Sequence, residues 1–365
     1  MRAFAILEDA GEVTEIEVPC PVPTGTEVVL RVVRSGVCHT DTHLRDGYYD
    51  LGARGRMRLT DRGVVYPIVL GHEVVGVVEA VGPGVAEVRP GDRRLIYPWI
   101  GEGECEACRA GEENLCVAPK NLGVAEHGGY AESIRVPHPR YLVDIEGLDE
   151  SWAATLACSG LTAYGAVRKA LPLAPDDPIV VIGAGGVGLT AIATLRALGH
   201  RAIVAVDLQQ RNLELARELG ATELVSADQA DLTGAIIDGA GGPVAAVIDF
   251  VNSSATSRAG FDLLRKGGSM IQVGLFGGEL VIPTALLALK TLTVRGSFVG
   301  TLADLRELVE LAKQGGLPHI PIVDDALTAE AVQSSLDRLV VGGVPGRIVL
   351  RGREDAGTDE PGEGE

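Results

Sequence analysis

The chain has 365 residues, 46% of them hydrophobic and 22% charged, which is enough to bury two sizeable cores and to form two or three domains. Its formal net charge of -18, with no basic stripe, excludes nucleic acid as a partner and fits an acidic soluble protein. No apolar run approaches the length that spans a bilayer, and Met1-Arg2-Ala3-Phe4 begins a strand-like segment without a cleavable signal, so a cytoplasmic protein with no membrane contact is expected.

From Met1 to about residue 150, short β-branched runs such as Glu27 to Val33 and Val74 to Val81 are punctuated by Gly and Pro, which predicts a β-rich, barrel-like domain. The first chemical motif within it is Gly36-Val37-Cys38-His39-Thr40-Asp41-Thr42-His43. A loop from about Tyr48 to Tyr66 follows, with Arg54, Arg56, Arg58 and Arg62; it either draws in a negatively charged or strongly polar substrate or is a solvated face or subunit contact. The second motif is Gly71-His72-Glu73. Tyr49, Trp99 and Phe298 are candidates to wall a pocket, with core packing an equal account of them.

Near Ser151 the pattern changes to amphipathic helices alternating with apolar strands at Ala202 to Asp207, Ala245 to Phe250, Ser269 to Val273 and Thr291 to Gly296. That alternation predicts a doubly wound parallel sheet over residues 151–299. A third motif, Leu156-Ala157-Cys158-Ser159-Gly160-Leu161-Thr162, opens this half. The segment Gly278 to Gly300 is richer in aliphatics than a surface helix and strand need. After it come a helix over Leu302 to Lys313 and a closing strand near Arg347 to Leu350, which return to the first domain. The acidic tail 351–365 has no core-forming pattern and is expected to be poorly ordered.

Cys38, His72 and Cys158 together supply two thiolates and one imidazole. Such a set leaves a tetrahedral Zn²⁺ one open position, as a catalytic rather than structural site does. An alcohol oxygen in that position would lose its proton far more readily than a free alcohol. A buried free cysteine or a lone histidine is individually weak evidence; what carries the reading is their conjunction with the fingerprint that follows. This fingerprint runs from Pro178 through Ile182 to Gly183-Ala184-Gly185-Gly186-Val187-Gly188, then a helical stretch from Leu189 to Gly199, then a second strand ending in Asp207. It is the βαβ pattern of a dinucleotide site: Gly183 allows the tight turn, Gly185 lets backbone approach the pyrophosphate, and Gly188 brings helix and strand together. Asp207 can accept hydrogen bonds from an adenosine ribose and would repel a 2′-phosphate, so NAD is favoured over NADP. Arg211, one helical step away, partly offsets that repulsion, and with Thr162 it completes the candidate cofactor contacts.

With these motifs the chain resembles the zinc-dependent medium-chain dehydrogenase/reductase superfamily, in its alcohol dehydrogenase branch. Gly82-Pro83-Gly84-Val85, Pro90-Gly91-Asp92, Gly128-Gly129-Tyr130-Ala131-Glu132 and Gly346-Arg347-Ile348-Val349-Leu350 carry the resemblance further, from Met1 to about Leu350. It implies an α/β plus β fold: a GroES-like catalytic domain from residues 1–150 and 300–350, and a Rossmann NAD-binding domain between them. It also implies that Cys38, His72 and Cys158 bind catalytic zinc, that Glu73 neighbours the metal, and that Thr40 and His43 relay the proton. That relay is chemically sound, although His43 also reads as a solvated surface histidine. The family's structural zinc lobe corresponds to residues 99–118, where Cys105, Cys108 and Cys116 keep the expected spacing but Glu102 replaces a cysteine. Carboxylate oxygen is an acceptable zinc ligand, so Glu102 is the expected fourth donor; Glu104, water, or no metal at all are the alternatives. Five of the six cysteines are thereby assigned, leaving Cys20.

Cys158 at the third ligand position favours a primary or simple secondary alcohol, reversibly oxidised to aldehyde or ketone with hydride transfer to NAD. A polyol or sugar-alcohol dehydrogenase is the second expectation, and a silent dinucleotide-binding protein the remote third. A homodimer or homotetramer is expected from the family, with the Gly278 to Gly300 edge pairing between subunits unless it is buried within one.

Overall fold

In this computed structural model residues 1–352 are described, so the expectation for the tail beyond Gly352 falls outside the described residues. In chain order the first half contains β1 (Arg2–Ile6), β2 (Val13–Glu17), β3 (Val28–Val37), α1 (His39–Asp46), β4 (Tyr48–Asp50), β5 (Arg56–Arg58), β6 (Ile68–Val69), β7 (Glu73–Val81), β8 (Arg93–Ile96), α2 (Glu106–Arg109), β9 (Ser133–Val136) and β10 (Leu142–Asp144). The β-branched runs become the long strands β3 and β7, which pair antiparallel and bury almost every side chain. They form the middle of a sheet ordered β10-β8-β7-β3-β18-β17, with β9 also on β3.

The second half runs α3 (Glu150–Thr155), a π-helical turn (Leu156–Gly160), α4 (Leu161–Ala170), β11 (Ile179–Ile182), α5 (Gly186–Ala197), β12 (Ile203–Asp207), α6 (Gln210–Glu218), β13 (Glu223–Ser226), α7 (Leu232–Ala240), β14 (Val244–Asp249), α8 (Ser254–Leu263), β15 (Leu264–Gln272), α9 (Thr284–Leu289), β16 (Thr293–Gly296), α10 (Leu302–Lys313), β17 (Ile322–Ala326), α11 (Ala329–Val341) and β18 (Arg347–Arg351). The sheet β13-β12-β11-β14-β15-β16 is parallel at every pairing, with the order reversing at β11 and β14. Ligands bind such sheets outside the carboxyl ends of the strands at that reversal.

The chain then returns. β18 pairs antiparallel with β3, Ile348 opposite Val37 and Val349 opposite Gly36, so the last described strand completes the first sheet. β17, parallel to β18, was not anticipated: its sequence Ile322-Val323-Asp324-Asp325-Ala326 has two carboxylates and no clean alternation. α11 was missed too, although Ala331, Val332, Ser335, Leu336 and Leu339 make one buried face. α10 lies between the halves, packed on α4 and the π-helical turn, with Arg306 donating to the Arg140 carbonyl at 2.8 Å. One continuous apolar core runs from Val28 and Leu30 through Trp99 and Trp152 to Leu161, Ile179 and Leu305, so the halves are not separately cored. Among the described residues no helix is long and apolar enough to cross a membrane.

Candidate functional site

Cys38 is the residue on which β3 ends and α1 begins. Asp41, in the first turn of α1, reaches back to the Cys38 N–H at 2.9 Å and closes a reciprocal cap that fixes the cysteine's backbone. The same carboxylate accepts the Tyr130 hydroxyl at 2.9 Å and the Gly71 N–H at 3.3 Å, and its Oδ1 lies 3.2 Å from His72 Nδ1. Three separate segments thus meet on one buried acid. Cys158 arrives from the π-helical turn between α3 and α4, an irregularity often found where a side chain must be aimed at a site.

The result is that Cys38, His72 and Cys158, all buried, present one nitrogen and two sulfurs within 4.8 Å of one another. The sulfurs stand 3.8 Å apart. Two thiolates sharing a tetrahedral zinc with Zn–S bonds of about 2.3 Å would be about 3.8 Å apart, so the donor set fits the ion. With His72 Nδ1 facing Asp41, the other ring nitrogen, Nε2, is buried without a hydrogen-bond partner among the protein atoms, as expected of a ligand whose partner is a metal. Electrostatics point the same way. A hydrogen bond from Cys158 and the imidazole of His72 outweigh burial and hold the Cys38 thiol well below its ordinary pKa. Cys158 is pushed up by the same bond and by burial.

Glu73 is fully buried behind this cluster. Its Oε1 accepts the Ser159 N–H at 2.9 Å and its Oε2 pairs with the guanidinium of Arg347. Burial pushes its carboxyl up to about 6 against the pull of Arg347. Arg347 was quoted only as part of a motif, yet it joins both halves: it holds Glu73 and lies so close to Gly186 that a side chain at that position would collide with it. Asp41 was missed as well. The acid three residues after Cys38 was a readable capping signal, whereas no local signal announces the pairing of Arg347 with Glu73, 274 residues apart in sequence.

Thr40 and His43 sit one helical turn apart on α1, sharing a face. The Thr40 hydroxyl is 3.8 Å from Cys38 Sγ, and the His43 ring lies 4.8 Å from that of Tyr49. Burial, with His39 adding to it, holds His43 below its usual pKa, so a plain solvated histidine does not describe it. Trp99, buried, donates its indole N–H to the Ala157 carbonyl at 3.0 Å. Its ring meets His72 edge-on at 5.4 Å and Phe298 at 5.6 Å, so an aromatic wall leads from the donor set outward. Of the four loop arginines, Arg58 pairs with Asp9 at 3.0 Å and Arg56 stacks over Tyr48 at 4.0 Å. Those two contacts give Arg56 and Arg58 structural roles on the β4–β5 hairpin.

The lobe brings Glu102, Cys105, Cys108 and Cys116 together with their donor atoms within 4.8 Å of one another. Cys105 Sγ is 3.5 Å from Cys108 Sγ and 3.8 Å from Cys116 Sγ, again the edge length of a zinc-sized tetrahedron. Glu102 Oε1 lies 3.9 Å from Cys116 Sγ, and the carboxylate is kept ionised by the N–H groups of Cys105 and Glu104. Gly101 has no substitute, since a Cβ there would strike the Cys108 sulfur.

At the fingerprint, Gly183 has φ +87°, and a Cβ on Gly188 would run into the Gly183 carbonyl. Asp207 Oδ2 accepts the Ala184 N–H at 2.7 Å, while Oδ1 accepts Gln209 N–H at 2.8 Å and the Asn212 amide at 3.2 Å. A carboxylate has about four acceptor positions, so one stays open to a ribose hydroxyl. Gly185, Gly186 and Val187 form the half-exposed start of α5; Arg211 is exposed on α6, and Thr162 lies in the first turn of α4.

A family model described as "Alcohol dehydrogenase GroES-like domain" matches residues 24–147, and one described as "Zinc-binding dehydrogenase" matches residues 186–314. The chain is 38% identical over 355 residues to an NAD-dependent alcohol dehydrogenase of Sulfurisphaera tokodaii, covering 96% of this chain and 99% of that protein. It is 33% identical over 353 residues to a D-arabinose 1-dehydrogenase (NADP(+)) of Saccharolobus solfataricus, covering 95% and 96%. An alcohol dehydrogenase structure from the hyperthermophilic archaeon Aeropyrum pernix superposes with a TM-score of 0.87 at 33% identity, covering 96% of this chain and 100% of that one.

Proposed function

The chain belongs to the zinc-dependent medium-chain dehydrogenase/reductase superfamily, in its alcohol dehydrogenase branch, and from that premise we propose that Cys38, His72 and Cys158 hold the catalytic zinc of an NAD-dependent alcohol dehydrogenase. The enzyme oxidises a primary or simple secondary alcohol reversibly to aldehyde or ketone. When bound, zinc supplies the positive charge that eases loss of the hydroxyl proton, and NAD supplies the hydride acceptor.

The protein's own part is to hold, dry and deprotonate. Asp41 orients His72, and the Asp41 cap fixes Cys38. Glu73, braced by Arg347, sets a negative charge behind the ligand set and ties it to the start of α5. Trp99 and Phe298 exclude water on one side and offer an apolar surface to the alcohol's tail. That wall favours a simple alcohol over a sugar, whose hydroxyls would lose water against it without gaining partners. Thr40 takes the hydroxyl proton into a hydrogen bond, and His43, neutral near pH 7, carries it to solvent. Gly183, Gly185, Gly186, Val187, Gly188 and Asp207 seat the dinucleotide, with Thr162 and Arg211 at its margins.

A second zinc sits in the lobe on Cys105, Cys108, Cys116 and Glu102. We place the subunit contact of a homodimer, or of a homotetramer built from it, at the Gly278 to Gly300 edge, where Val281 is 82% and Leu289 71% exposed. The protein works in the cytoplasm.

The observation that carries this reading is the 3.8 Å pair of buried sulfurs beside a histidine whose Nε2 has no protein partner. A Cys38→Ala variant tests it. NADH formation from an alcohol panel should drop below detection while NAD still quenches protein fluorescence with near-parent affinity; turnover comparable to the parent would overturn the assignment.

A further inference from the structure

Phe298 is a half-exposed ring held by its backbone rather than by burial. It is 47% exposed, and its edge-on contact with Trp99 at 5.6 Å is what keeps the aromatic wall continuous with His72. The segment carrying it is pinned on both sides. Ser297 receives Lys169 Nζ at 3.0 Å and bonds the Gln272 carbonyl at 2.9 Å, and the Gly300 carbonyl accepts the buried Tyr97 hydroxyl at 3.0 Å. Between these pins Val299 adopts φ +40°, a conformation that β-branched residues rarely take and that persists only where surroundings impose it.

The remaining restraint comes from the metal lobe. Asn114 Nδ2 donates to the Phe298 carbonyl at 3.0 Å, across 184 residues of sequence. The other end of that amide, Oδ1, is buried without a partner, so this one donor bond fixes how the side chain points. Asn114 is itself anchored. Its neighbour Glu113 is buried, accepting the Gly101 N–H at 3.0 Å and the Tyr141 hydroxyl at 2.8 Å, and the Cys116 N–H bonds the Glu113 carbonyl at 3.0 Å. The turn that delivers a lobe cysteine therefore also delivers the donor that holds Phe298.

We infer that Asn114 is a positioning residue for the alcohol's tail: by holding the Phe298 carbonyl it keeps the ring against Trp99, and so sets a preference for alcohols with bulky apolar tails over short ones. The inference rests on the alcohol dehydrogenase reading and adds to it the residue that sets tail selectivity. Asn114 touches neither the reacting atoms nor the cofactor.

Asn114→Asp is the informative variant, because it keeps the side chain's shape and replaces the donor by an oxygen facing a carbonyl. Made in the zinc-loaded full chain, it should raise KM for benzyl alcohol about fivefold, the cost of one neutral hydrogen bond, with KM for ethanol within about twofold and kcat unchanged. In a Trp152→Phe background, where Trp99 is the one remaining tryptophan of two, Asn114→Asp should increase acrylamide quenching. In a Phe298→Ala background it should change neither quantity further. A parent-like quenching constant and KM ratio in Asn114→Asp, or an equal rise of KM for both alcohols, would overturn the proposal while leaving the dehydrogenase reading in place. A parent protein that oxidises neither alcohol removes both.

Discussion

At His43 the sequence shows only an imidazole three residues after Thr40, whereas the fold decides its charge. Burial first, then the like-charged neighbour His39, lowers its pKa from the usual 6.5. The unfolded chain therefore binds that proton more readily than the folded one. Stability from this group is intact above pH 6.5 and declines as pH falls through its folded pKa. The same sign keeps the ring able to accept a proton at pH 7. We expect kcat/KM for alcohol oxidation to fall only on the acid side of pH 6.5, and His43→Gln to reduce it about 100-fold at pH 7, abolishing the acid limb; a pH profile identical to the parent's would mean the proton leaves by another path. Residues of this kind were legible where chemistry sits in a short motif, as with Cys38, Thr40 and His43. The local cap of Asp41 on Cys38 was readable, but its contacts with Tyr130 and His72, and those of Arg347 with Glu73 and Gly186, come from other elements and leave no local signal.

The lobe from Glu102 to Cys116 is an element whose core is chemical rather than apolar. Its regular structure is one four-residue α-helix and a short 3-10 turn, and Leu115 is 53% and the adjoining Val117 88% exposed, so little hydrophobic burial holds it. A metal tying four donors would replace that missing core, as in small zinc modules. Plasma emission spectrometry should find about two zinc ions per chain. Glu102→Gln should bring this to about one and lower the unfolding temperature, whereas Glu102→Cys should keep both ions; a parent value near one would refute lobe zinc. The cysteine spacing and the glutamate substitution were readable from sequence. The attachment of this lobe to Phe298 through Asn114 was not, since an asparagine in a loop has no periodic signature.

Across the whole molecule, the parallel sheet was readable because its strands are buried on both faces and stand out as continuous apolar runs, such as Ile179–Ile182 and Val244–Asp249. β17 was hidden by its two aspartates, and no local pattern states that β18 pairs with β3. The aliphatic edge near residue 280 is only partly covered: Leu280, Ile282 and Leu287 touch the core, while Val281, Leu286 and Leu289 face outward. Leu289→Glu should shift the mass measured by light scattering from dimer or tetramer toward monomer without loss of helical circular dichroism, and an unchanged mass would place the contact elsewhere. The pairing of β18 with β3 also imposes an order on biosynthesis. Gly36 and Val37, the two residues that lead into Cys38, pair on one side with Val349 and Ile348, while Gly36 faces Glu73 of β7 on the other. Since a nascent chain emerges from its amino end, that edge of β3 can close only after translation has passed residue 349, and the backbone leading into Cys38 gains its neighbour on that side only then.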